Sequence, residues 1–311
     1  MTDRRMRIGV VLPIAEDDGE DGIPSYAEIR SVAVAAETAG FDSVWVFDHL
    51  LFRFDGETSG IHESWTILAA IAEATSRVEL GTIVMCTAFR NPALQAKMAA
   101  TLDHVSGGRL ILGIGAGWHD PEFEAFGYPT DHKVGRFEEA ARVITGLIRD
   151  GHADLDGTYV TARDAVLRPP ARPDLPILIA AKKPRMLELT ARSADAWNLA
   201  WFGMPDERLA RLRGELMDAC RRVGRDPSTL AITVGIVVRY PEARNEVGGA
   251  ATAEDAGPGL SGTPDQIAAG LRAHAEAGAD HLITVLEPCT PATVAMFAEA
   301  VERFRAGEPT G

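Results

Sequence analysis

The chain has 311 residues, 46% of them hydrophobic, which is enough for a sizeable core and argues against an intrinsically disordered protein. A formal net charge of -14 excludes nucleic acid and anionic membrane surfaces as electrostatic partners. Three scattered cysteines, Cys86, Cys220 and Cys289, with no CxxC among them, exclude a disulfide or zinc framework and point to a reducing compartment.

The first apolar run, RIGVVLP at residues 7–13, is one strand long and stops at Pro13, so it does not read as a signal peptide. No later run approaches the roughly 20 residues a bilayer span requires, and the expected location is the cytoplasm. From residue 7 onward, short β-branched runs alternate with amphipathic ones. Strands are predicted at 7–12, 43–47, 78–85, 109–113, 177–180, 196–200, 230–238 and 281–286. Helices are predicted between and after them, at 26–39, 65–76, 93–105, 136–149, 184–193, 206–223, 264–277 and 291–305. Strict alternation of this kind predicts a parallel sheet covered on both faces. Eight units predict a closed (β/α)8 TIM barrel, taken as a single domain over residues 1–311.

Ser64, Asn91 and Thr263 stand where helix-capping oxygens are expected, the last two just before Pro92 and Pro264. AGFD (39–42) and AGAD (277–280) place a glycine just past a helix end, as a left-handed cap requires. Two segments break the rhythm and are expected as insertions at the C-terminal face of the barrel. Residues 151–176 form an extended, proline-rich excursion. Residues 240–260, rich in glycine, alanine and acids, suit either a lid over a site or a plain surface insertion.

Three places carry residues suited to chemistry. The strand SVWVFDH (43–49) ends in Asp48 and His49, at the end of a barrel strand where such barrels build active sites. Alternation sends Trp45, Phe47 and His49 to one side and Val44, Val46 and Asp48 to the other. GIGAGW (113–118) fails as a dinucleotide fingerprint, because Trp118 stands where a third glycine is needed. Its alternate glycines instead predict bare backbone against which a ligand can lie. IAAKKPRML (179–187) runs from a strand into Lys182 and Lys183, and Pro184 then opens a helix. Free N–H groups at that helix start, beside two lysines in an acidic protein, predict a phosphate seat. His119, Asp120 and Glu122 follow GIGAGW without metal-ligand spacing, and no metal is expected. Cys86 reads as a small buried residue without a partner to make it a nucleophile.

With RIGVVLP, VFDH, GTIVMCTAFRNP, GGRLILGIGAGW, IAAKKPRML, ADAWN and SGTPDQIAAGL in that order, nearly the whole chain resembles the luciferase-like monooxygenase superfamily. Its resemblance is to the branch using FMN or the deazaflavin coenzyme F420. That resemblance implies that Asp48 and His49 lie against the cofactor ring, with Cys86 in contact and the Ile83–Val84 link forming a non-proline cis peptide behind it. It further implies backbone contacts to the cofactor side chain at Ala116 and Gly117, and a phosphate loop formed by Ala181, Lys182, Lys183, Pro184 and Arg185. Relatives usually carry glycines where Lys182 and Lys183 stand. The sugar-phosphate dehydrogenase branch has a glutamate at the position of Trp118, so that activity is not expected here. Trp118, Trp201 and Phe202 suggest an aromatic substrate pocket, although each suits core packing as well. A homodimer is implied too.

The resulting expectation is an F420-dependent oxidoreductase that moves a hydride to or from a small organic substrate. His49 and Asp48 are its catalytic candidates, with His49 relaying a proton and Asp48 orienting the ring or fixing the histidine tautomer. The alternatives are an FMN-dependent monooxygenase using oxygen, a non-catalytic flavin- or deazaflavin-binding protein, and a hydrolytic barrel with Glu122 and Glu287 as its carboxylate pair.

Overall fold

In the computed structural model, residues 5–16, 22–243 and 257–307 are described. The strands in chain order are β1 (Arg7–Val11), β2 (Ser43–Val46), β3 (Leu51–Phe54), β4 (Glu57–Gly60), β5 (Glu79–Thr82), β6 (Met85–Cys86) and β7 (Leu110–Gly115). They continue with β8 (His152–Asp156), β9 (Thr161–Val166), β10 (Ile177–Ala180), β11 (Ala196–Phe202), β12 (Ala231–Arg239) and β13 (His281–Glu287). The α-helices are α1 (Tyr26–Thr38), α2 (Ser64–Ala74), α3 (Pro92–Val105), α4 (Asp120–Phe126), α5 (Lys133–Asp150), α6 (Pro184–Ser193), α7 (Glu207–Arg222), α8 (Pro264–Glu276) and α9 (Pro291–Ala306).

Strands β1, β2, β5, β7, β10, β11, β12 and β13 pair in parallel in that order, and β13 returns to β1, so the sheet closes as an eight-stranded barrel. The two-residue β6 continues β5 past a cis peptide at Ile83–Val84 and pairs with β7. All eight predicted strands and all eight predicted helices are present, with boundaries moved by a few residues. Among the described residues four elements are additional: the antiparallel hairpin β3–β4, the short α4, the antiparallel hairpin β8–β9, and a 3-10 turn at Pro227–Thr229. The β8–β9 hairpin occupies the excursion at 151–176, but it stands between α5 and the start of β10 and so enters from the amino-terminal face of the barrel, not from the C-terminal face expected. It lies along α5, and its turn at Thr158–Val160 donates three backbone N–H bonds to Glu139. Of the segment 240–260, residues 244–256 lie outside the described residues.

Apolar residues fill two main regions and a small third one, Cys86, Phe89 and Phe123, under the loop after β6. The largest lies between barrel and helices, and the second is the lumen, packed with Val11, Trp45, Ile83, Ile111, Leu178 and Ile283. Trp45 is the largest lumen side chain and reaches across to β5, where Gly81 has no Cβ to obstruct it: one added there would sit 2.1 Å from the indole. The indole N–H donates to Ser43 Oγ at 2.7 Å, and that hydroxyl bonds His281 Nε2 at 2.8 Å, so these three polar groups are linked in a chain. A filled lumen leaves only the strand ends for ligands.

The junctions follow the punctuation closely. Gly40 and Gly278 are left-handed, with φ of 82° and 85°. The aspartates that follow tie each helix end to the sheet, Asp42 accepting from Ile8 N at 2.8 Å and Asp280 from Ile232 N at 2.7 Å. Asn91 and Thr263 cap α3 and α8. Ser64 does not cap α2; that role falls to Glu63, whose carboxylate accepts from Trp65 N and Thr66 N. The Ser64 hydroxyl is drawn into the site instead.

Candidate active site

Past the end of β2 the backbone alternation holds, sending Asp48 outward and His49 toward the mouth of the lumen. Asp48 is buried and fully engaged. Its two oxygens accept from Ser64 Oγ at 2.8 Å and Cys86 N at 2.9 Å, and take a two-pronged bond from Arg90 at 2.6 and 3.0 Å. Arg90 also reaches Glu63. Charge-assisted forks of this kind fix geometry as well as supplying energy, so Asp48 pins the loop after β6 to the end of β2.

His49 is held by a different carboxylate. Its Nδ1 lies 2.8 Å from Glu122 Oε1, while Glu122 Oε2 accepts from Leu50 N at 2.8 Å. Glu122 is fully buried in the first turn of α4, where the helix dipole favours a negative charge. A carboxylate accepts at both oxygens, so the imidazole donates from Nδ1 and leaves Nε2 as its working atom. The expectation that Asp48 fixes this tautomer is therefore corrected: Asp48 points away, and Glu122 does it. Next to it, His119 Nε2 accepts from Arg53 N at 2.9 Å, which anchors the β3–β4 hairpin; burial holds its pKa below the ordinary value, as an acceptor role requires.

These groups border a cavity of about 500 Å³ over the ends of β2, β5, β7, β10 and β11. Asp48, His49, Ile83, Val84, Cys86, Ala116, Gly117, Ala181 and Lys182 all line it. Lys183, Pro184 and Arg185 do not: all three are exposed, and Arg185 pairs with Glu138 on the outer surface. The strand alternation that turns Lys182 inward turns Lys183 away. Lys182 lines the open cavity while remaining solvent-exposed, and it makes no ion pair among the described residues. Desolvation and then the nearby Arg208 guanidinium lower its pKa, as befits a cation short of a counter-charge. Burial pushes the Cys86 thiol up to about 12, so it is a packing group and not a nucleophile.

Of the glycines of GIGAGW, Gly115 and Gly117 line the cavity, and packing within the protein constrains all three. A Cβ on Gly113 would lie 1.9 Å from Thr82 O, and one on Gly115 would lie 2.6 Å from Val84. Close approach of the β5–β6 segment demands these two. Gly117 combines a φ of +76° with a Cβ direction blocked by Phe123 and Cys86. Trp118 and Trp201 line the cavity, whereas Phe202 is buried beneath the guanidinium of Arg208. Asn198, Met186 and Ala200 also line it, none of them a cofactor or catalytic candidate from sequence, and so does Glu122, which the sequence offers only as a hydrolytic carboxylate. Glu287, suggested as a hydrolytic partner of Glu122, is bonded to Arg239 at 2.7 Å and is not among the residues lining the cavity. Among the described residues, no cluster of three or more His, Cys, Asp or Glu side chains could hold a metal, and no helix is long and apolar enough to cross a membrane.

Residues 6–252 match the family model described as luciferase-like monooxygenase. A phthiodiolone/phenolphthiodiolone dimycocerosates ketoreductase of Mycobacterium sp. (strain JLS) is 35% identical over 253 residues, 73% of this chain and 66% of that protein. An F420-dependent glucose-6-phosphate dehydrogenase of Amycolatopsis mediterranei (strain U-32) is 35% identical over 177 residues, 55% of this chain and 52% of that protein. The chain thus spans less than two thirds of the length of these curated relatives. Among solved structures, an F420-dependent secondary alcohol dehydrogenase in complex with an F420-acetone adduct superposes with a TM-score of 0.79 at 21% identity. That match covers 97% of this chain and 99% of the other, a likeness of fold.

Proposed function

We propose, from the premise that the chain belongs to the luciferase-like monooxygenase family, that this enzyme passes a hydride between coenzyme F420 and a small organic substrate. It is an oxidoreductase or monooxygenase by kinship; the deazaflavin and the hydride are the finer reading. The observation that carries it is the His49–Glu122 pair at the cavity wall, a histidine with a fixed tautomer and one free nitrogen.

The residues present fit such a cofactor. Ile83, Val84, Cys86, Ala116 and Gly117 give a wall on which a flat ring can lie. Lys182, a cavity-lining cation without an acidic partner among the described residues, suits the phosphate of the cofactor's side chain, beside the start of α6. Bound there, the deazaflavin supplies a carbon that gives or accepts a hydride. His49 Nε2 then holds the proton that the substrate oxygen gains or loses, and Glu122 balances the charge on the ring while that proton is bound. Asp48 works one step back, keeping Cys86 and the cis-linked Ile83–Val84 segment against β2 through Arg90 and Ser64.

The family's description as monooxygenases favours one alternative, an FMN enzyme that uses reduced flavin and oxygen. Lys182 suits the phosphate of either cofactor. Titration of the apoprotein with F420 and with FMN, followed by fluorescence, separates the two. Micromolar F420 binding supports the proposal, and FMN binding without F420 binding reverses it. The proposal also takes the protein to be a single-domain, cytoplasmic homodimer, the dimer being measurable by sedimentation equilibrium.

A further inference from the structure

Beside the cavity lies a run of aromatic rings that the chemistry above does not use. Trp118 meets His49 edge-on, with centroids 5.4 Å apart and planes at 75°. On the far side Trp118 faces Phe54, 6.3 Å away and inclined by only 21°. Phe52, from the same hairpin, stacks on Phe54 at 5.9 Å and approaches His49 at 4.6 Å. Two of these rings are not core: Trp118 is 61% exposed and Phe54 54% exposed. Exposed aromatic surface of this kind marks an interaction site more often than it occurs by chance. Its position decides what interacts, because Trp118 lines the cavity together with His49 and its ring meets Phe54 on the far side.

We propose that the His49–Trp118–Phe54 track is a substrate subsite, and that the enzyme takes a carbonyl or carbinol carrying an extended apolar arm, a linear alkyl chain or a flat aryl group. The reacting carbon sits at His49, and the arm runs outward over Trp118 to Phe54. This rests on the functional reading above for what happens at His49, but the track's preference for an apolar arm stands on the rings alone. The hairpin supporting the track is tied down from below: Arg53 N donates to His119 and its guanidine Nε to Thr58 Oγ1, so Phe52 and Phe54 are presented by a braced strand. A second copy of the chain covering the same rings is the competing occupant.

The test is equilibrium binding of methyl ketones of increasing length, from 2-butanone to 2-decanone, to the F420-loaded and the cofactor-free protein by calorimetry. Wild type, Phe54→Ala and Trp118→Ala are compared, and F420 affinity is measured separately. The expected result is a Kd that falls up to about fourfold per methylene while the arm crosses the track, then levels off. Phe54→Ala removes the gain for the longer ketones only and leaves the 2-butanone and F420 affinities as in wild type. Trp118→Ala removes it from shorter lengths onward. A Kd independent of chain length, or a slope untouched in both variants, overturns the proposal, as does a dimer that Phe54→Ala converts to monomer. Loss of F420 binding alone refutes the functional reading, while the chain-length slope in the cofactor-free protein still tests the track independently.

Discussion

Replacing Glu122 by glutamine removes one charge and changes little else. The amide oxygen can still accept from Leu50 N, as Oε2 does now at 2.8 Å, but its NH2 then faces His49 Nδ1. The imidazole must accept there, so its proton moves to Nε2, and the ring loses the carboxylate that stabilises its charged form. A hydrogen bond to a charged group contributes about 1.5–3 kcal/mol, which corresponds to about a 10- to 150-fold loss in the rate of hydride transfer at about 1.4 kcal/mol per decade. Stopped-flow absorbance of F420 under single-turnover conditions measures it, with F420 affinity and melting temperature as controls. The expected pattern is a slow step with near-normal cofactor binding. A rate within twofold of wild type in a folded, cofactor-binding variant refutes the role given to the pair.

Asp48→Ala breaks a buried, two-pronged ion pair with Arg90; about 3–5 kcal/mol is expected to be lost, seen as a melting temperature lower by roughly 5–8 °C. Lys182→Met should weaken F420 binding about tenfold or more, whereas Lys183→Ala and Arg185→Ala, on outward-facing side chains, should change it less than about twofold. Acid should destabilise the fold through its buried histidines. Burial lowers the pKa of His281 well below, and that of His274 below, the ordinary value of 6.5. The unfolded chain therefore binds more protons than the native one below about that value, and stability falls as pH drops through it. Urea midpoints at pH 7.5 and 5.5 report this, and His281→Gln should flatten the difference.

The barrel was legible because buried parallel strands leave continuous apolar runs, and residues such as Gly40, Asn91 and Thr263 punctuate them in recognised ways. What the sequence hid was short or non-local. The β3–β4 hairpin has four-residue strands with half their side chains in water, so alternation hardly registers, although Asp55-Gly56 at its turn is a hairpin signal in its own right. Helix α4 has seven residues, too few for a helical period to show. His49 and Glu122 are 73 residues apart, and their contact depends on which strand ends adjoin in the closed barrel, which spacing along the chain does not encode. Ser64 misled for a local reason, since the longer Glu63 side chain reaches the same N–H groups and frees the hydroxyl for Asp48. Strand alternation was available for Lys182 and Lys183 and separates them, one into the cavity and one into water.

Hydride transfer itself is tested most directly by labelling. Reduced F420 deuterated at its reacting carbon, mixed with a methyl ketone and the enzyme in the absence of oxygen, should give an alcohol carrying one deuterium on the former carbonyl carbon. No product without oxygen, with an oxygen atom from O2 appearing in the product once it is admitted, would contradict the account and make the protein a monooxygenase.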